Sequence, residues 1–94
     1  MSLRGNPVEE RAALPDGREA VVWLGVPDDD YVARRDLETV AIELRIDGRT
    51  EAALNTTLEP EQDSEARFLA REIASGLGSG RLEPTAGALE PIVV

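Results

Sequence analysis

The chain has 94 residues, with 10 basic and 19 acidic side chains and a formal charge of −9 at pH 7. A chain of this length forms one domain, residues 1–94, because two hydrophobic cores would not fit. The absence of cysteine, histidine and lysine excludes disulfides, thiolate and imidazole metal ligands, Schiff-base chemistry and the phosphate-binding lysine of a P-loop.

All ten basic residues are arginine. We attribute this bias to a GC-rich genome, whose codons favour arginine; adaptation to high salt and an acidic surface that mimics nucleic acid are the alternatives. The negative charge repels phosphate backbones and the arginines are scattered, so we expect no nucleic-acid partner. No apolar run approaches the roughly 20 residues that cross a bilayer, and the first residues do not resemble a signal peptide. We therefore expect a cytoplasmic protein without a membrane partner.

Residues 1–17 show no clean period, and we expect an irregular N-terminal segment with one or two helical turns over 8–14. A strand is predicted over 19–26. Both of its faces are apolar, which is typical of a strand that is covered on both sides. Val22, Leu24 and Val26 lie on one face, and Val21 and Trp23 lie on the other.

The next feature is the only dense carboxylate cluster in the sequence, Asp28, Asp29 and Asp30. Carboxylate oxygens suit Mg²⁺ or Ca²⁺, so these residues are the weak candidates for a metal site. Three consecutive side chains cannot all face one ion, and the spacing of a calcium-binding loop is missing. We expect a solvated loop that caps a turn near Tyr31 and binds no metal tightly.

A period of two is clearest over 39–47, where apolar residues alternate with polar ones and predict a strand with one buried face. Asp47-Gly48 then predicts a hairpin turn into a third strand over 49–58. A two-residue turn would place Leu44 opposite Glu51 and mix the two faces. We therefore expect a three-residue loop, 46–48, with Gly48 left-handed and Leu44 opposite Thr50.

That register places Glu43 opposite Glu51 on the polar face of the hairpin. Two facing carboxylates can share a raised pKa and perform general acid–base catalysis, although two exposed acids are the simpler interpretation. Thr56, Thr57 and Ser64 have no evident base beside them, so they do not indicate a nucleophile.

A helix is predicted from Pro60, a residue typical of the first helical position. Its apolar stripe, which should pack on the sheet, consists of Ala66, Leu69, Ala70, Ile73 and Leu77. Glycines 76, 78 and 80 should end the helix; they follow it, so they cannot hold phosphate at its N-terminus. Phe68 lies opposite the stripe, either simply exposed or covered by the C-terminal tail or a partner chain. The tail, residues 81–94, contains Pro84 and Pro91.

These elements predict an α+β fold: an antiparallel sheet of three strands, or four if the tail adds one, with one main helix packed on one face. One helix covers one sheet face, so Val21 and Trp23 need another cover. That cover is a second copy of the chain, a protein partner or the tail itself. With Phe68, these two residues are the candidate interaction residues.

We therefore expect a small acidic, non-catalytic interaction or homodimerisation module without a cofactor. The alternative is a small enzyme or divalent-metal-binding domain that uses carboxylates of the 28–30 loop or Glu43 and Glu51. A third interpretation is an acidic antagonist of a nucleic-acid-binding protein, but the acids are dispersed along the chain.

Overall fold

The computed structural model describes residues 7–26 and 40–93. Within these ranges the elements are β1 (Val8–Ala13), β2 (Glu19–Gly25), β3 (Ala41–Ile46), β4 (Arg49–Asn55), α1 (Asp63–Ser79) and α2 (Ala86–Val93). The strands form one antiparallel sheet in the order β1-β2-β3-β4. The predicted α+β fold with one main helix is confirmed, and β2, β3 and β4 are the three predicted strands. The predicted loop at 28–30 lies outside the described residues.

One face of the sheet is covered by the helices and is built from alternate apolar residues. Its centre consists of Ala20, Val22 and Leu24 on β2 beside Ile46, Leu44 and Ile42 on β3. All six side chains are at most 3 % exposed. α1 packs over β1 and β2, and α2 packs over β4. We call this the inner face; removing its apolar surface from water is the main source of stability.

β1 is an edge strand, where the sequence predicted an irregular segment with one or two helical turns; that prediction is wrong. Val8 and Ala12 lie on the inner face, paired with Leu24 and Ala20 of β2. Between them lies Glu10, which breaks the apolar alternation and so hides the period of two. Its carboxylate contacts Arg71 Nε of α1 at 3.6 Å. Pairing with β2 satisfies the backbone groups of β1 that point towards it, a long-range effect that local sequence does not reveal.

The tail forms helix α2 instead of a fourth strand. Leu89 and Val93, one turn apart, are buried in the same core as the inner face. Thr85 caps the helix, because its Oγ1 accepts a hydrogen bond from Ala88 N at 3.2 Å. Pro91 lies inside this helix of eight residues, so the prolines of the tail do not exclude helix here.

α1 begins at Asp63, three residues after Pro60, and two of the three glycines that were predicted to end it lie inside it. Gly80 ends the helix with a left-handed φ of 78°. Gly76 is small enough for the chain after α1 to fold back, since a Cβ there would lie 3.0 Å from Leu82 Cβ. The predicted apolar stripe does face the core, with Ala66, Ala70, Ile73 and Leu77 buried.

The hairpin between β3 and β4 closes through a two-residue turn, and the predicted three-residue loop is wrong. Asp47 and Gly48 both have left-handed φ angles, 49° and 84°, as in a type I′ turn. The register then shifts: Arg45 pairs with Thr50, and Leu44 pairs with Ala52. Glu51 is the extra residue of a β-bulge, which returns the apolar residues of β4 to the inner face.

Asp47 also ties this turn to β2. Its backbone N donates to Glu19 O at 3.0 Å, and its Oδ1 accepts from Glu19 N at 3.0 Å. The side chain therefore supplies an acceptor to a strand that is distant in sequence, and it stabilises a backbone conformation that most residues avoid.

Replacement of Asp47 tests both contributions. We expect Asp47→Ala to lower the free energy of unfolding by about 2 kcal/mol, because the acceptor is lost and alanine disfavours the left-handed region. Asp47→Asn is the matched control and should stay within about 0.5 kcal/mol of wild type, since asparagine keeps the acceptor and suits a type I′ turn. Urea unfolding measures both, and equal destabilisation by the two substitutions would contradict the assignment.

Candidate interaction surface

The sheet face that points away from α1 and α2 carries two rows of side chains that run across the strands. We call this the outer face. The acidic row consists of Glu9, Trp23, Glu43 and Ala53, and the arginine row consists of Arg11, Val21, Arg45 and Thr50. In each row the apolar residue of β2 lies between two side chains of the same charge. Neither described helix packs on this face.

Trp23 is partly buried because its indole lies along the strand. A Cβ at position 25 would lie only 2.7 Å from Trp23 Cζ2 and 3.0 Å from Pro7 Cβ. Gly25 therefore leaves the space that the ring occupies, and the ring buries the backbone of Gly25. The ring lies over Gly25, with part of its surface in solvent.

The charged side chains beside Trp23 and Val21 form ion pairs within the chain. Arg45 donates to Glu43 Oε2 at 2.7 Å, and Arg11 lies 3.3 Å from Glu19 Oε1. The Arg11 pair is well exposed and the Arg45 pair is partly buried; ion pairs near the surface contribute little to folding. Their charges remain accessible to another molecule that approaches this face.

The proposed carboxylate pair is not formed. Glu43 lies opposite Ala53, and not opposite Glu51 as predicted, because Glu51 is the bulged residue. The nearest charged partner of Glu43 in the structure is an arginine. The enzymatic alternative therefore loses the two facing acids on which it depended.

The other candidate residues lie elsewhere or outside the described ranges. No group of three or more metal-binding side chains is found within 7–26 and 40–93, and Asp28, Asp29 and Asp30 are not among the described residues. Phe68 is 66 % exposed and lies on the side of α1 that faces away from the sheet. Phe68 and Trp23 are therefore on opposite sides of the molecule, and one flat interface cannot include both.

Two open clefts lie near the turn between β1 and β2. One, of about 200 Å³, is lined by Leu14, Pro15, Leu77 and Leu82 among others; the other, of about 270 Å³, includes Arg18. Both fall below the roughly 300–1,000 Å³ of typical ligand pockets. Neither cleft indicates a small-molecule site.

The Asp16 carboxylate at this turn is held ionised by its neighbour. The backbone N of Arg18 donates to Asp16 Oδ1 at 3.0 Å, and Arg18 Nε donates to Oδ2 at 2.7 Å. The backbone hydrogen bond is the largest cause that lowers the pKa of Asp16 from its ordinary value of 3.8, and the guanidinium adds to it.

The apolar pattern of β2 indicates Val21 and Trp23 from the sequence, whereas the two charged rows were not predicted. The sequence feature that could have predicted these rows is the Glu-x-Arg spacing of Glu9 and Arg11, which is repeated by Glu43 and Arg45. This spacing produces two charged rows only because β1 is a strand that pairs with β2.

Comparison with known proteins gives no further guide: no family model, no curated protein and no solved structure matches the chain. Among the helices of the described residues, none combines the length and the apolar character needed to cross a membrane.

The position of Trp23 gives a fluorescence test, because the chain has one tryptophan. We expect Gly25→Ala to displace the ring and shift its emission to longer wavelength, since the new methyl group would occupy the place of the indole. Gly87→Ala is the matched control: nothing lies within 4 Å of a Cβ at position 87, so the emission should not change. An unchanged spectrum for Gly25→Ala would refute this packing.

The environment of Asp16 is testable by carboxyl-detected NMR titration. The pKa of Asp16 should lie below 3.8, so its contribution to stability is complete above the unfolded pKa and is lost as the pH falls through the folded value. Arg18→Ala should raise this pKa only partly, because the backbone N–H remains. A complete return to the ordinary value would show that the guanidinium, and not the backbone, is the main cause.

Proposed function

We propose that the protein is a non-catalytic interaction module that acts as a homodimer through the outer face of its sheet. The observation that carries this proposal is the placement of Trp23 and Val21 at the centre of a sheet face that neither described helix covers. Tryptophan and arginine are the residues most often found at the energetic centre of protein interfaces. Both residue types are present on this face.

Within the described residues, the tail does not cover Trp23 and Val21 on the outer face. The sequence left open whether the tail covers Trp23 in the same chain. Leu89 and Val93 are instead buried in the core on the inner side of the sheet, so α2 serves the opposite face. This supports a second molecule as the cover of the outer face.

The charge of the outer face favours a second copy over a strongly charged partner. The chain carries −9 overall, yet the two rows contain two glutamates and two arginines, and with Glu19 beside Arg11 the three acids of this face nearly balance its two arginines. Two copies can therefore bring these faces together while adding little to the repulsion between their net charges. A strongly basic or acidic partner would gain little at this face.

The size of the face indicates a weak dimer. At about 3.3 Å per residue and 4.8 Å between strands, the face measures roughly 20 by 19 Å. Two such faces bury on the order of 800 Å², below the roughly 1,200–2,000 Å² of stable specific interfaces and in the range of weak, transient ones. We therefore expect a dissociation constant of roughly 1–100 μM.

The cytoplasmic location, the absence of a cofactor and the absence of nucleic-acid and membrane partners belong to the same proposal. They are supported by the cysteine-free, histidine-free and acidic composition.

Sedimentation equilibrium tests the dimer. At about 100 μM protein, the weight-average mass should lie between about 1.5 and 2 times the chain mass of 10.2 kDa over the expected range of dissociation constants. Trp23→Glu should return it towards 10.2 kDa, because a buried, unpaired carboxylate opposes association. Phe68→Glu is the control on the other side of the molecule and should leave the mass unchanged. A wild-type monomer at this concentration would refute the proposal.

A further inference from the structure

The charge pattern of the outer face specifies how two copies meet, an inference that rests on the proposed function. We infer that the two-fold axis of the homodimer lies parallel to the rows and passes between the acidic row and the arginine row. Each strand of one copy then lies over the same strand of the other copy, running in the opposite direction.

In this arrangement every charge on the two rows meets its opposite. The acidic row of one copy lies over the arginine row of the other. Glu9 faces the partner's Arg11, Glu43 faces the partner's Arg45, and Trp23 faces the partner's Val21, as the cross-strand register requires. Packed sheets rotate by about 30° relative to each other, which displaces the outer strands more than the central ones. The contacts of β2 and β3 are therefore the best determined.

One alternative two-fold axis that brings the same faces together runs along β2. It would place the acidic row over itself, so that Glu9 faces the partner's Glu43 and Arg11 faces the partner's Arg45. Like charges that face each other across an interface oppose association. The pattern of two charged rows thus favours the axis between the rows over an axis along β2.

The ion pairs inside the chain support the same arrangement. Arg45 already contacts Glu43 at 2.7 Å, so these two side chains extend over the same part of the face. In the dimer each would contact both its own neighbour and the partner's residue of opposite charge. Networks of this kind contribute more than isolated surface pairs.

Charge reversal on β3, with rescue between chains, tests the axis. Arg45→Glu alone should raise the dissociation constant at least about tenfold, because two carboxylates per half-site then face each other. Glu43→Arg alone should do the same with two arginines. A mixture of these two variants should form heterodimers with a dissociation constant within about threefold of wild type, since each altered charge meets its opposite. Sedimentation gives the affinities, and native mass spectrometry identifies the heterodimer.

A mixture of Arg11→Glu with Glu43→Arg is the matched control. It contains the same two types of charge change, but these positions do not face each other about the inferred axis. This mixture should gain no affinity over the separate variants. If a β3 variant fails to fold by circular dichroism, Glu9→Arg mixed with Arg11→Glu gives the corresponding rescue on β1, which should be weaker because sheet rotation displaces the outer strands.

The outcomes separate this inference from the proposed function. Rescue by the β3 mixture and not by the control supports the axis between the rows. A wild-type dimer whose β3 and β1 mixtures both show no rescue overturns the inferred axis but leaves dimerisation in place. A wild-type monomer overturns both.

Discussion

The inner face of the sheet must remain apolar, apart from Glu10 on the edge strand β1, and much of the local structure follows from this requirement. A two-residue turn at Asp47-Gly48 alone would place apolar residues of β3 opposite polar residues of β4, because side chains alternate with a period of two. The bulge at Glu51 removes this conflict by adding one residue to β4. The chain therefore keeps the favourable Asp47-Gly48 turn and also buries the apolar residues of β4. The irregularity that this requires is the bulged position in the edge strand.

Polar groups at the margins of the core are paired, which keeps that apolar face intact. Thr56 is 5 % exposed, and its Oγ1 donates to Val40 O at 2.7 Å and accepts from Leu58 N at 3.1 Å. It thus joins the end of β4 to the start of β3. Among the described residues, no buried side-chain polar atom lacks a hydrogen-bond partner, as expected for a stable core.

The same alternation that buries the inner face also creates the candidate interaction surface. Strand β2 is apolar on both sides. When its inner side is buried under the helices, Val21 and Trp23 remain on the outer side. These two residues are predictable from the sequence because the apolar pattern of β2 is local. The predicted position of Glu43 opposite Glu51 is wrong, because a bulge changes the register without a distinct local signal. Phe68 was placed correctly on the exposed side of α1, but the sequence could not show that it lies on the side of the molecule opposite Trp23.

The sequence by itself determined the α+β class, three of the strands, the apolar stripe of α1 and the exclusion of thiol, imidazole and lysine chemistry. These follow from composition and from periods of two and 3.6 residues, which act over a few neighbouring positions. Only the tertiary structure decided that residues 8–13 are a strand, that the tail is a helix and that glutamates and arginines form two rows across the sheet. Each of these depends on contacts between distant segments: β1 pairs with β2, Leu89 and Val93 enter a core formed by other elements, and the rows exist only when the strands lie side by side.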